Sequence, residues 1–209
     1  MTLEIWMVYA LAVLVLTASP GPSSLLCMTK GVTSGWKAGA YTALGSLTAI
    51  TAIMTLSFTG LGMVIASSEL VFNIVKWTGA AYLVYLGVKA LTSSQDRYEP
   101  VTMCGDSQTR FTQHYVSGFI VGASNPKAIL FFTALFPQFI NPSAGMLTQY
   151  LVFAATFVTL ELSWLLTYAY LGSKSSSWVF GSGKARLFNR ITGGGFIGAG
   201  ALLASVNRG

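Results

Sequence analysis

Ala123-Ser124-Asn125-Pro126-Lys127-Ala128-Ile129-Leu130-Phe131-Phe132 sets a helix breaker and a cation inside an apolar run. The surrounding segment, Tyr115 to Phe139, is long enough to cross a bilayer, since about 20 helical residues span the hydrocarbon. Lys127 then falls near the middle of the membrane. Pro126 has no N–H, so the carbonyl of Gly122, four residues earlier, loses its helical partner and the helix must kink or open. Lipid cannot satisfy the freed groups, so such a break is expected where other helices, water or a solute supply hydrogen bonds. The same device recurs at Ala18-Ser19-Pro20-Gly21-Pro22-Ser23-Ser24-Leu25-Leu26, where Pro20 and Pro22 free the carbonyls of Leu16 and Ala18. Two interrupted helices in corresponding places point to a transporter.

Composition agrees with an all-α integral membrane protein. Of the 209 residues 53% are hydrophobic and only 9% charged, far from the averages of soluble domains. The net charge of +6 does not signal nucleic acid, because the basic residues are scattered beside apolar runs instead of forming a groove interleaved with aromatics. Cys27 lies in the first apolar run and Cys104 in a polar stretch, which gives neither a disulfide framework nor a CxxC motif. No cofactor or metal site is expected: His114 stands alone at the start of a span, and no HExxH, Walker or GxSxG motif is present, so enzyme chemistry lacks support. Glu4, with no basic residue ahead of the first apolar run, reads as the start of a retained transmembrane helix.

Six spans are expected: about Leu3 to Met28, Ala38 to Ala66, Val71 to Leu91, Tyr115 to Phe139, Met146 to Leu171 and Leu187 to Val206. Gly31 to Gly35, Ser67-Ser68-Glu69, Asn141-Pro142-Ser143 and Gly172 to Lys184 mark turns. The polar segment Thr92 to Gln113 is the one candidate linker and carries Asp96, Arg97, Glu99, Pro100, Asp106 and Arg110. Lys30, Lys37, Lys89, Arg97, Arg110, Lys174, Lys184, Arg186 and Arg190 follow spans one, three and five, whereas only Lys76 and Arg208 lie on the other side. Basic residues accumulate on the cytoplasmic side, so the linker is cytoplasmic and both termini face outward. Trp36, Trp77 and Trp178 sit near span ends, where an indole anchors at the interface.

Thr78-Gly79-Ala80-Ala81-Tyr82-Leu83 in the third span has a counterpart in Thr192-Gly193-Gly194-Gly195-Phe196-Ile197 of the sixth. With the breaks in spans one and four, this describes one three-helix unit used twice, residues 1–91 and 114–209 around a linker at 92–113. Three is odd, so the second copy enters from the opposite face, giving an inverted-topology repeat. Helix packing alone also accounts for such small residues, since Gly118 with Gly122 and Gly194 with Gly198 have GxxxG spacing. These glycine-rich faces permit a homodimer.

Lys127 admits two readings. Its ammonium binds a substrate carboxylate, aided by the N–H groups at the start of the helix after Pro126, or it snorkels or ties to carbonyls to hold the kink. Glu161, near the centre of the fifth span, is a candidate proton carrier; it also suits a substrate amino group, or a structural pair with Lys127. Around the first break Ser19, Ser23 and Ser24 flank Pro20, Gly21 and Pro22, and either contact a solute or repair the backbone. Asn125 is similar, with an amide that donates and accepts. Thr48, Thr51, Thr55 and Tyr168 suit a polar path, and helix packing explains them equally well.

The opening Met1-Thr2-Leu3-Glu4, Ser19-Pro20-Gly21-Pro22, Lys76-Trp77-Thr78-Gly79-Ala80-Ala81-Tyr82-Leu83 and Asn125-Pro126-Lys127 with Ala134-Leu135-Phe136-Pro137-Gln138-Phe139 resemble the lysine exporter (LysE) superfamily. The chain looks most like its branch for resistance to homoserine and threonine (RhtB). The resemblance implies a bacterial inner-membrane exporter of homoserine, its lactone, threonine or other neutral amino acids, driven by protons; the two three-helix units suit alternating access about a site between the breaks. It places Asn125, Pro126 and Lys127 in the family's fourth-span motif, Pro20 and Gly21 in its first-span motif, and Glu161 where relatives often carry an acid. The rival classes are an exporter of another small solute or cation, and a membrane enzyme or assembly factor that moves nothing.

Overall fold

A computed structural model describes residues 2–60, 69–92, 107–141, 143–181 and 185–205. Most of the linker, with Cys104, lies outside the described residues, as do Ala66 to Ser68, Pro142, Lys184, Val206 and Arg208. The described elements are helical: α1 (Leu3–Ala18), α2 (Pro22–Ser34), α3 (Trp36–Phe58), α4 (Glu69–Leu91), α5 (Ser107–Ala123), α6 (Pro126–Leu130), α7 (Met146–Gly181) and α8 (Ala185–Ser205). A π-helical turn at Phe131–Leu135 and a 3-10 turn at Phe136–Phe139 continue α6. By length and composition α3 and α7 can each cross a membrane alone. Two bent pairs, α1 with α2 and Phe111–Ala123 with Pro126–Phe139, reach that length together, each bent by 46°.

Local chemistry sets the ends. Thr2 caps α1 by accepting from the Ile5 N–H at 3.4 Å. Pro22 and Pro126 occupy the first turns of α2 and α6, where a missing N–H costs no helical bond. The first turnaround is tighter than the run Gly31 to Gly35 suggests. α2 carries on through Gly31 to Ser34, and Gly35 alone, at φ +84°, reverses the chain. Helix α3 ends at Phe58, where the Gly60 N–H turns back onto Ser57 O at 3.1 Å with φ +75°; the expected end of the second span near Ala66 lies outside the described residues.

The largest departure from the expected boundaries is at Gly172 to Lys184, where composition suggests a turn. α7 passes straight through it to Gly181. Ser175 and Ser176 donate their hydroxyls to the carbonyls of Leu171 and Ser173, so the polar side chains are satisfied within the helix and do not break it. Gly172 lies against the backbone of Met28, which makes α7 part of a helix contact at this point.

Between apolar helices in lipid, association depends on close fit and hydrogen bonds more than on water exclusion. Three further crossings use glycine for that fit. A Cβ at Gly122 would sit 2.7 Å from the Ser46 carbonyl, fixing α5 on α3; one at Gly39 would meet the Ala169 side chain at 2.6 Å, where α3 meets α7; one at Gly87 would meet Gly193 O at 2.8 Å, where α4 meets α8. Gly194 and Gly198 meet nothing within 4 Å, so that GxxxG pair packs against no part of this chain among the described residues.

A cluster of rings fills the contact among α1, α3, α7 and the turns after α6. Tyr9, Phe132, Phe136, Phe153 and Phe157 are fully buried, with Phe58 and Phe131 beside them. Ring centroids lie 4.5 Å apart for Tyr9 and Phe153 and 5.0 Å for Phe132 and Phe157, in tilted and edge-on arrangements worth about 0.5–1.5 kcal/mol each. Tyr9 also donates to Phe153 O at 3.0 Å.

The π turn has a cause in Pro137. Within it Phe136 N–H bonds Phe131 O, five residues back, and the next N–H in that pattern would belong to Pro137. The carbonyl left over is that of Phe132, and the buried Ser57 hydroxyl donates to it from α3.

Candidate functional site

The two breaks face each other. α1 ends at Ala18, the chain runs extended through Ser19 to Gly21, and α2 starts at Pro22. Opposite, α5 ends at Ala123 and α6 starts at Pro126, with Asn125 as its cap. The Gly122 carbonyl, freed by Pro126, is repaired locally by the Asn125 N–H at 3.2 Å.

Leu16 and Ala18 are treated differently. Lys127 Nζ donates to Leu16 O at 2.5 Å and to Ser19 O at 2.6 Å, with Ser19 Oγ at 3.4 Å. Tyr168 on α7 donates its hydroxyl to Ala18 O at 2.9 Å. Both carbonyls that the proline spacing sets free thus accept bonds from other spans. Lys127 also sits at the carboxyl end of α1, where the helix dipole is negative and a cation gains up to about 2 kcal/mol in partly buried geometry. Gly21 leaves room for this, since a Cβ there would be 3.3 Å from Lys127 Cε and Nζ.

Asn125 links the breaks a second time. Its Nδ2 donates to Ser23 Oγ at 3.1 Å while its Oδ1 accepts from the Lys127 N–H at 3.2 Å, and both Asn125 and Ser23 are 2% exposed. That N–H after Pro126 is therefore already capped. Ser24 is buried beside Ser23, Pro22 and Pro126 are buried, and Ser19 and Pro20 are exposed. Ser19 Oγ also returns to Leu16 O at 3.0 Å.

Glu161 points inward from α7 and is 7% exposed. Among the described residues its carboxylate makes no hydrogen bond or ion pair, although it lies close enough to Lys127 and to the fully buried Cys27 for its charge to act on both. Lys127 and Glu161 thus share one region without touching. Of the threonines on α3, Thr48 and Thr55 bond to carbonyls of their own helix, Thr55 also meets Tyr150 OH at 2.9 Å, and Thr51 Oγ1 is buried without a hydrogen bond. Ser57 and Tyr168 donate to carbonyls in bonds that sequence reasoning misses; Pro137 and Pro22, each freeing a carbonyl, are the available signals.

Beside Lys127 lies an open cavity of about 590 Å³. Gly21, Lys127, Leu25 and Leu130 line one side, and Ile191 and Gly195 of α8 the other. Apart from the lysine its wall is almost wholly apolar.

Apolar helices, two bent helix pairs and a lysine tied across their breaks mark a multi-pass membrane protein. The chain belongs to the LysE type translocator family, whose model matches residues 14–206. It is similar to the homoserine/homoserine lactone efflux protein of Salmonella typhi, at 33% identity over 98% of both chains. It is also similar to the leucine efflux protein of Enterobacter sp. (strain 638), at 30% identity over 98% of this chain and 97% of that one. An uncharacterized membrane protein of Vibrio cholerae is 29% identical over 98% of both. No solved structure matches the chain significantly.

Proposed function

We propose that this chain exports amino acids or their close derivatives across the bacterial inner membrane, as a proton-coupled secondary transporter working by alternating access. The observation that carries the proposal is the tie from Lys127 to Leu16 and Ser19, a primary ammonium held on the broken end of one span by a residue from the break of another. Membership of the translocator family supports export, and the relatives named for homoserine, homoserine lactone and leucine efflux support a small neutral substrate.

The transport body is six spans in two inverted units, α1/α2 with α3 and α4, then α5/α6 with α7 and α8. Close packing of α4 on α8, the third member of each unit, supports this pairing. Both termini face outward and the segment between α4 and α5 faces the cytoplasm, in keeping with the basic residues that flank them. Substrate binds where the breaks meet, within reach of Lys127, Asn125, Pro126, Ser19, Pro20, Gly21, Pro22, Ser23 and Ser24. Lys127 takes the substrate carboxylate, or the carbonyl oxygen of a lactone. Glu161, a buried carboxylate with no fixed partner among the described residues, carries the proton on the return step.

Labelled amino acids, including homoserine, threonine and leucine, loaded into proteoliposomes with and without a pH gradient test the proposal. Gradient-dependent movement of one or a few neutral compounds is expected. No movement of any, from protein shown to be folded, overturns it.

A further inference from the structure

Three oxygens surround one nitrogen at the first break: Leu16 O at 2.5 Å, Ser19 O at 2.6 Å and Ser19 Oγ at 3.4 Å from Lys127 Nζ. A primary ammonium has three N–H donors and no acceptor, so this cradle meets its full hydrogen-bonding capacity. All three oxygens belong to the end of α1 and the residue after it, at the negative pole of that helix. The lysine reaches across from the other broken span on a flexible four-carbon stem. Beside the stem is Gly21, which has no side chain, and next to it is the open cavity walled by Leu25, Leu130 and Ile191. The cradle thus has the geometry to hold a primary ammonium, and it lies beside an open cavity.

We infer that the cradle is the binding site for the substrate's own ammonium, and that Lys127 is its resident occupant, displaced when substrate arrives. This rests on the exporter reading and deepens it by naming what a transported molecule must carry. The incoming ammonium takes the Leu16 and Ser19 oxygens. Lys127 Nζ, released, turns to the substrate carboxylate or lactone carbonyl oxygen, so each ammonium keeps an acceptor. The direct tie between α6 and the end of α1 is then replaced by a link that runs through the substrate. A molecule that lacks an ammonium for the cradle, or an acceptor oxygen for Lys127, cannot complete the exchange. A 2-hydroxy acid brings one neutral O–H and no ammonium to the cradle, and an alkylamine leaves Lys127 without an acceptor.

The exchange is tested on the purified full chain in detergent by thermal unfolding of wild type and Lys127→Ala with propylammonium chloride. Tetramethylammonium chloride, of equal charge but without an N–H, is the control. In Lys127→Ala the cradle is free, and propylammonium raises the unfolding midpoint saturably, by about 2–4 °C or more. Wild type, whose cradle is filled, needs at least tenfold more propylammonium, and tetramethylammonium does nothing in either. No rise in Lys127→Ala, or equal sensitivity of wild type, overturns the inference.

A second arm uses wild type alone, and so does not depend on that variant folding. In exchange assays without a pH gradient, the 2-hydroxy analogue of the transported amino acid fails to compete with it; equal competition overturns the inference. Wild type that moves no amino acid sinks the exporter reading, while the propylammonium result still decides whether the cradle takes a free ammonium.

Discussion

Asn125 is the smallest group whose removal tests whether the two breaks form one unit. Asn125→Ala deletes the bond to Ser23 Oγ at 3.1 Å and the cap on the Lys127 N–H at 3.2 Å. Loss of an N-cap costs typically ~1 kcal/mol. Side-chain bonds between membrane helices average ~0.6 kcal/mol, less than their burial suggests, because the unfolded chain in a membrane also finds partners. The sum is about 1.6 kcal/mol, or about 3–6 °C in unfolding midpoint for a chain of this size. The cap is internal to α6, whereas the Ser23 bond joins two spans, and a double-mutant cycle separates them. Thermal or denaturant unfolding of Asn125→Ala, Ser23→Ala and the pair should yield a coupling of about 0.5–1 kcal/mol. Strict additivity, a coupling within about 0.3 kcal/mol of zero, would refute the claim that the breaks hold each other.

Further outcomes follow from the same geometry. Glu161→Gln removes a buried charge without deleting a hydrogen bond among the described residues, so the unfolding midpoint holds or rises while efflux driven by a pH gradient is lost and gradient-free exchange survives. Gly122→Ala forces a methyl to 2.7 Å from the Ser46 carbonyl and destabilises by about 1–3 kcal/mol in denaturant unfolding, whereas Gly198→Ala, with open space around it, changes little. Ser57→Ala leaves the Phe132 carbonyl of the π turn without its donor and costs about 1–3 kcal/mol in the same assay.

Proline spacing makes part of the site legible in the sequence. Because a proline frees the carbonyl four residues back, Leu16, Ala18 and Gly122 are identifiable as acceptors in need of donors. The identity of the donors is not, since Lys127 and Tyr168 lie more than 100 residues from their acceptors and only tertiary packing joins them. The Gly122 carbonyl shows the opposite case, a local repair by Asn125 that needs no other span.

Composition marks span boundaries poorly where polar residues have a helical use. The Ser-rich stretch after Leu171 has the composition of a turn, yet its hydroxyls bond back within α7. The π turn at Phe131–Leu135 is hidden because a helix signal of any pitch looks alike in an apolar run, although Pro137 is a sign of trouble in the backbone. Glu161 is legible as a carboxylate in an apolar span, but that it lies near Lys127 without pairing to it is a property of the folded chain.

The central claim is that the meeting point of the two breaks is a transport site open to each side in turn. Ser19, exposed at the first break, is the place to probe it: Ser19→Cys in a background with Cys104 replaced by Ala, leaving the fully buried Cys27, is labelled by a membrane-impermeant thiol reagent from either side of oriented vesicles. The account predicts labelling from both sides, with substrate and pH gradient shifting the ratio and saturating substrate slowing the reaction. Labelling from one side only, unaffected by substrate or gradient, would contradict it.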